Sequence, residues 1–369
     1  MIRQVFGAMD RVLIACLVCL AAIGLVTLYS AVHQGDLGLW QKQNIYWLIG
    51  LAVFLLLCFV PLRILGLACW PIYIMALLLL ALVPLIGDVQ MGARRWLNLG
   101  LVYLQPSELM KWALMFILAH WFASREANRL INLAVAIGLV VVPAVLIMIQ
   151  PDLGTALVLV FAATAMLIAA GLPWRWFGLA CLGTLLATPL LWHYMHAYQK
   201  QRILTFLNPE SDPLGAGYHV IQSTIAIGSG GLFGKGYLQG SQGRLHFLPE
   251  QHTDFIFAVL AEEGGLVAIS LLLLLYAVLI GRILMIASHA HSRFASLLAI
   301  GVAAIFMLYI GINIGMVSGL LPVVGVPLPF VSYGGSALVT MLAAMGLVMR
   351  IAIESDRKLP WQRPGSPLV

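Results

Sequence analysis

The sequence predicts an all-α, polytopic membrane protein with about ten transmembrane helices and a large outer loop between spans seven and eight. Three observations predict it: a composition too apolar for a water-soluble fold, a series of apolar runs long enough to cross a bilayer, and an uneven sharing of basic residues between alternate loops. Of the 369 residues, 62% are apolar and 9% charged, and the mean hydropathy is +1.01. Soluble domains carry about 45–50% apolar and about 25% charged residues. The surplus apolar surface cannot be hidden in one globular core and must face lipid, which excludes a cytosolic enzyme, a nucleic-acid reader and a disulfide scaffold. The net charge of +6 then reflects positive-inside placement and not a nucleic-acid partner.

Crossing a bilayer takes about 20 apolar residues in a helix. Ten segments offer this, near 12–32, 43–60, 64–86, 106–123, 131–149, 153–170, 174–192, 254–281, 294–318 and 335–353. The first is too long for a signal-peptide core and is followed by further spans, so it reads as uncleaved. The fourth carries Glu108 and Lys111 and is the weakest by hydropathy alone. Five cysteines all lie in apolar runs, so neither a disulfide framework nor redox use of the Cys16/Cys19 spacing is expected. No internal repeat of the transporter type is evident.

Ten spans put both termini on one side. With the N-terminus inside, twelve of the twenty Lys and Arg residues fall in the cytoplasm, in short segments. The exceptions are Lys42, Arg94, Arg95, Lys111, Lys200, Arg202, Lys235 and Arg244, on or just below the outer face. Ten of the fourteen acids also fall outside. The connection His193–Thr253 is 61 residues long. Loops of that length are usually functional or disordered; apolar stretches such as His219–Ile227 favour an ordered lid with short helices. The whole chain, 1–369, reads as one membrane domain, with 193–253 as its large extracytoplasmic loop.

The sharpest polar segment is LPEQHTDFIF from Leu248, where a loop turns directly into a membrane helix. Asp254 stands at the junction. A helix dipole alone favours an acid there, but a carboxylate aimed at a substrate hydroxyl from that position is also a candidate general base, with His252 beside it. Glu262 and Glu263 follow about 12 to 14 Å further along a helix rising 1.5 Å per residue, where acids are costly and expected either to pair or to take part in chemistry. Glu108 and Lys111 are spaced i, i+3 and either neutralise each other or face a substrate. Arg94 and Arg95 defy the charge bias; an arginine pair suits a lipid-linked diphosphate or phospholipid headgroups. Asp152, in QPDLGT, reads first as the cap of the sixth helix. Ser229–Gly236 fails a Walker A pattern at both ends, and His193 and His196 lack a third zinc ligand. VPLPFVSYGGS, from Val326 and including Ser332, reads as a re-entrant segment shaping a site wall.

Together GYHVIQSTIAIGSGG from Gly217, LPEQHTDFIFAVLAEEG from Leu248, PLPFVSYGGS from Pro327, PDLGTA from Pro151 and RRWLNLG from Arg94 resemble the SEDS family of cell-wall polymerases over nearly the whole chain. AIGSGG and LPEQHTDFIF are most similar to its rod-shape branch, with the division branch as the alternative. The resemblance implies a glycosyltransferase of the cytoplasmic (inner) membrane that polymerises lipid II into glycan strands on the outer face, beside a class B penicillin-binding transpeptidase. It implies that Asp254 is the essential acid. The acceptor's 4-hydroxyl would attack the lipid-linked end of the growing strand, with undecaprenyl diphosphate leaving and the anomeric centre inverted. Arg94, Arg95, Lys111, or a divalent cation, would meet the diphosphate charge; no cofactor is otherwise expected, and the metal requirement stays open. Lys235 and Arg244 are the basic residues that could replace a lysine frequent in the rod branch where this chain has Thr224. A flippase for the same precursor and a noncatalytic scaffold are the rival readings.

Overall fold

The computed structural model describes residues 2–90, 93–98, 103–194, 197–208, 216–241 and 250–356. A short helix α1 (Ile2–Gly7) precedes α2 (Arg11–Val32), α3 (Leu37–Phe59) and α4 (Leu62–Ile86). Three short antiparallel strands follow, β1 (Asp88–Gln90), β2 (Ala93–Asn98) and β3 (Tyr103–Leu104), in the order β1-β2-β3. Then come α5 (Pro106–Ala123), α6 (Leu130–Ile149), α7 (Leu153–Ala169), α8 (Trp174–Tyr194), α9 (Ala197–Leu207) and α10 (Ala216–Ser229). Completing the fold are α11 (Ile256–Ser288), α12 (Arg293–Val317) and α13 (Gly335–Asp356).

The chain is a polytopic, helical membrane protein, and helices fall on all ten expected segments. Among the described residues, seven are long and apolar enough to cross a membrane on those grounds alone; α7 is a shorter apolar helix. The three strands depart from the purely helical expectation. RRWLNLG, expected to contribute charge and a family motif, forms β2 on its alternating pattern: Leu97 is buried while Arg94 is exposed.

Capping side chains fix several helix starts. Asp10 accepts from the Leu13 amide at 2.9 Å and also pairs with Arg282 of α11 at 2.5 Å, stapling two helix ends. Asp36 caps α3, Asp152 caps α7 and Ser292 caps α12. The interior is built on α5, α7, α12 and α13. Nearly every residue of α5 is buried, as expected of a helix enclosed on all sides. By contrast α3, α4 and α6 keep long rows of exposed Leu, Ile and Val. In a membrane protein those rows meet acyl chains.

At 33 residues α11 would run about 50 Å if straight, well beyond a hydrocarbon core of about 30 Å. It breaks at Gly265, whose φ of 63° and ψ of −161° leave the helical region. A break exposes backbone groups that must find partners. The glycine-rich loop after α10 supplies them: Lys235 and Gly236 amides donate to the Glu262 and Glu263 carbonyls at 2.9 and 3.1 Å, and Leu266 and Val267 amides donate to Gly231 and Leu232 carbonyls at 2.9 and 3.1 Å. Glycine is needed here because a Cβ on Gly230 would strike the Ala261 carbonyl, and one on Gly234 that of Glu263. SGGLFGKG is therefore a splice across a broken helix. Glu262 and Glu263 end the segment before the break and do not lie deep in a continuous span, which corrects the expectation drawn from helical rise alone.

Candidate active site

Asp254 lies in a turn that leads directly into α11, half-buried. The turn begins at Glu250, whose φ is +55°, and the Thr253 amide and hydroxyl both donate to the Glu250 carbonyl at 3.1 Å. Turn and re-entrant segment are laced together. The Ser332 hydroxyl donates to the Thr253 carbonyl at 2.7 Å and accepts from the Leu328 amide at 2.7 Å; the Tyr333 amide donates to the His252 carbonyl at 2.8 Å. From α3, the Gln43 amide donates to the Ser332 carbonyl at 3.1 Å. From the α11 side, the Tyr276 hydroxyl donates to the Pro329 carbonyl at 2.6 Å. Ser332 is thus a buried brace between the two segments.

Two further groups bear on the acid. Asn313 of α12 is fully buried and donates from Nδ2 to both the Asp254 carbonyl, at 2.9 Å, and the Val326 carbonyl, at 2.7 Å. Gly325 has a φ of +73°, and a Cβ there would stand 3.3 Å from Asp254 Oδ2. The carboxylate therefore lies against bare backbone. His252 is 26% exposed, with Nε2 3.9 Å from Glu250 Oε2. Burial pulls its pKa below the ordinary imidazole value, while the Glu250 and Asp36 carboxylates oppose that shift.

Other acids and bases are spent on one another. Lys111 Nζ is 2.6 Å from Glu108 Oε1, both nearly inaccessible, and the Tyr309 hydroxyl donates to the same carboxylate at 3.1 Å while its ring lies under the ammonium at 4.5 Å. Lys235 pairs with Glu262 at 2.6 Å, and the Ser241 amide donates to the same oxygen at 2.8 Å. Glu263 accepts from the Ser30 hydroxyl at 2.5 Å. Asp152 accepts from the Thr155 amide at 3.2 Å and its hydroxyl at 2.9 Å. That is the capping role. Its turn stays close to the site because Gly154 lets the Val324 carbonyl approach; a Cβ would meet it at 2.7 Å.

Arg94 and Arg95 do not act as a pair. Neighbours on a strand point to opposite faces: Arg95 donates to the Gln150 carbonyl at 3.1 Å and to the Pro151 carbonyl, closing the Asp152 turn, while exposed Arg94 donates to the Pro84 carbonyl at 3.4 Å. Lys111, sealed against Glu108, is likewise removed from any direct contact with a diphosphate. Arg244 lies outside the described residues. Thr224 is exposed on α10 and its hydroxyl is turned back to the Ile221 carbonyl at 2.8 Å. Among the described residues no group of three or more His, Cys, Asp or Glu side chains able to hold a metal is gathered.

Asn313, Gln43, Tyr309 and Gly325 were not singled out in the sequence. Asn313 and Gln43 carried a usable signal, because a polar amide within an apolar span must find partners.

The family model described as cell cycle protein, FTSW_RODA_SPOVE, matches residues 10–357. The peptidoglycan glycosyltransferase MrdB of Escherichia coli K12 is 45% identical over 354 residues, 95% of each chain. A solved structure described as "Structural coordination of polymerization and crosslinking by a peptidoglycan synthase complex" matches 93% of this chain and 97% of its own at 38% identity and a TM-score of 0.82. The rod shape determining protein RodA of Thermus thermophilus matches 95% and 98% at 32% identity and a TM-score of 0.73. With the family model and the full-length relatives agreeing, this chain belongs to the FTSW_RODA_SPOVE family of cell cycle proteins, on its rod-shape (RodA-like) branch.

Proposed function

We propose that the protein is a peptidoglycan glycosyltransferase that polymerises lipid II during cell elongation, with Asp254 as general base. The observation that carries this reading is the setting of Asp254: a half-buried carboxylate at the head of α11, against the bare backbone of Gly325, on a turn held by Ser332, Tyr333 and Asn313. Such bracing is what a positioned base requires. Relatives named peptidoglycan glycosyltransferase supply the substrate class.

The acceptor's 4-hydroxyl gives its proton to Asp254 as its oxygen bonds to the anomeric carbon of the lipid-linked strand. The bond from that carbon to the diphosphate breaks with inversion, and undecaprenyl diphosphate leaves with the electron pair. Proton removal of this kind contributes about 10²- to 10⁴-fold. Arg94, exposed and hydrogen-bonded to the Pro84 carbonyl, is the basic group suited to the diphosphate. The ten helices are read as ten spans in the cytoplasmic (inner) membrane, with both termini inside, the large loop between α8 and α11 outside, and the reaction at the outer interface. The relative described as a synthase complex supports a class B transpeptidase partner.

The test is glycan formation from lipid II by purified wild type and Asp254→Asn, each with and without the transpeptidase, scored beside fluorescent-lipid translocation in proteoliposomes. Wild type polymerises and the variant falls by at least about 10²-fold. Near wild-type polymer from Asp254→Asn removes the assignment. Translocation without polymer favours the flippase reading, and polymer formation by the complex that is indifferent to Asp254 favours the scaffold.

A further inference from the structure

We infer that Asn313 is a positioning residue for Asp254, joining through one side-chain amide the two backbone walls between which the carboxylate is held. This rests on Asp254 being the base. The walls come from distant parts of the chain: the 250–255 turn before α11, and the 323–331 segment after α12. Asn313 stands on α12 between them, donating to the Asp254 carbonyl at 2.9 Å and the Val326 carbonyl at 2.7 Å. Val326 directly follows Gly325, the residue against which Asp254 Oδ2 lies. One NH2 group therefore fixes the separation between the acid's own peptide and the peptide facing its carboxylate.

The burial of this amide argues for more than packing. Asn313 is 0% exposed, and its Oδ1 is buried with no hydrogen-bond partner among the described residues. A buried polar atom left unsatisfied costs about 1–3 kcal/mol, so an apolar residue would be the cheaper filling of this position. The two donated bonds are the compensating gain, and both go to carbonyls at the site. Tyr309, one turn earlier on the same face, bonds Glu108 at 3.1 Å, which anchors α12 to the largely buried α5. Asn313 thus transmits the position of the rigid interior to the acid. A displacement of about 1 Å at a reacting group can cost about 10²-fold in rate.

The experiment compares wild type, Asn313→Asp, Asn313→Leu and Asp254→Asn in lipid II polymerisation with the transpeptidase partner, across pH, with thermal melting in detergent to confirm folded protein. Asn313→Asp keeps the shape, removes the NH2 donor and places a second carboxyl beside the acid. It is expected to lower kcat by about tenfold or more, with KM for lipid II within about twofold, and to move the acidic limb of the kcat profile to higher pH, since a nearby like charge favours the protonated form of Asp254. Asn313→Leu is expected to lower kcat by up to about 10²-fold. An altered limb is not produced by a smaller fraction of folded enzyme. Wild-type kcat in Asn313→Asp overturns the inference, as does a reduced kcat whose acidic limb is unmoved. If Asn313→Leu does not fold, Asn313→Asp alone decides. Activity surviving in Asp254→Asn sinks the underlying assignment instead, whatever the Asn313 variants do.

Discussion

Lys235 Nζ lies 2.6 Å from Glu262 Oε1, joining the glycine-rich loop after α10 to the end of the first segment of α11. Glu262 is buried while Lys235 is 30% exposed, so the carboxylate has more to lose. The pair closes the splice at one end of a helical segment whose other end follows the turn bearing Asp254, eight residues earlier. Lys235→Met removes the ammonium from a Glu262 carboxylate that also accepts from the Ser241 amide and hydroxyl and is expected to destabilise by about 1–3 kcal/mol, below the 3–5 kcal/mol of a fully buried pair because water reaches the lysine. Adding Glu262→Gln should restore most of the loss. A double-mutant cycle on melting temperature measures it; additive losses would show that the two charges do not communicate.

The Glu108–Lys111 pair is sealed. Lys111→Met strands a carboxylate among apolar helices and should cost about 3–5 kcal/mol, whereas Tyr309→Phe removes one bond to a charged group and should cost about 1.5–3 kcal/mol. Melting of the purified variants in one detergent gives the ranking. Equal, negligible effects would mean that water solvates this site.

Gly325→Ala puts a methyl 3.3 Å from Asp254 Oδ2 at a φ of +73°. A side-chain-bearing residue in that region costs about 1–2 kcal/mol, and the methyl crowds the carboxylate. Polymerisation should fall further than the melting shift accounts for. Gly311→Ala on α12, where a Cβ would meet nothing within 4 Å, serves as the control and should be neutral or slightly stabilising.

His252 supplies a pH dependence. Its folded pKa is lowered, chiefly by burial, so the fold binds fewer protons there than the unfolded chain does. The fold is therefore favoured above the ordinary value of about 6.5 and loses stability as pH falls below it, until the folded pKa is passed. Melting temperature should decline as the solution is acidified through this window, and His252→Gln should flatten that part of the curve. An identical slope in the variant assigns the proton to another group.

Much of this was legible before any coordinates. The ten apolar runs recur as helices because bilayer thickness imposes a length that hydropathy reports directly. Asp152 was readable as a cap because capping is a contact over three residues. Asp254 stood out because a polar loop meets an apolar helix there. The break at Gly265 was not legible: two consecutive glycines in an apolar run are compatible with a continuous helix, and only the loop 231–236 shows where the freed backbone groups go. Arg94 and Arg95 were misread as a pair because their chemistry was considered without the strand that separates their faces.

The sequence by itself determined that the chain lies in a membrane, where its helices run and which acid heads α11, since each of these follows from residues close together along the chain. Only the tertiary structure decided which charges are already spent. Lys235 and Glu262, Arg95 and the Gln150 carbonyl, and Asn313 and Asp254 meet across separations of 27, 55 and 59 residues. In a poorly polarisable interior the role of a polar group is set by what stands within about 3 Å of it, and helix packing, not local pattern, brings those partners together.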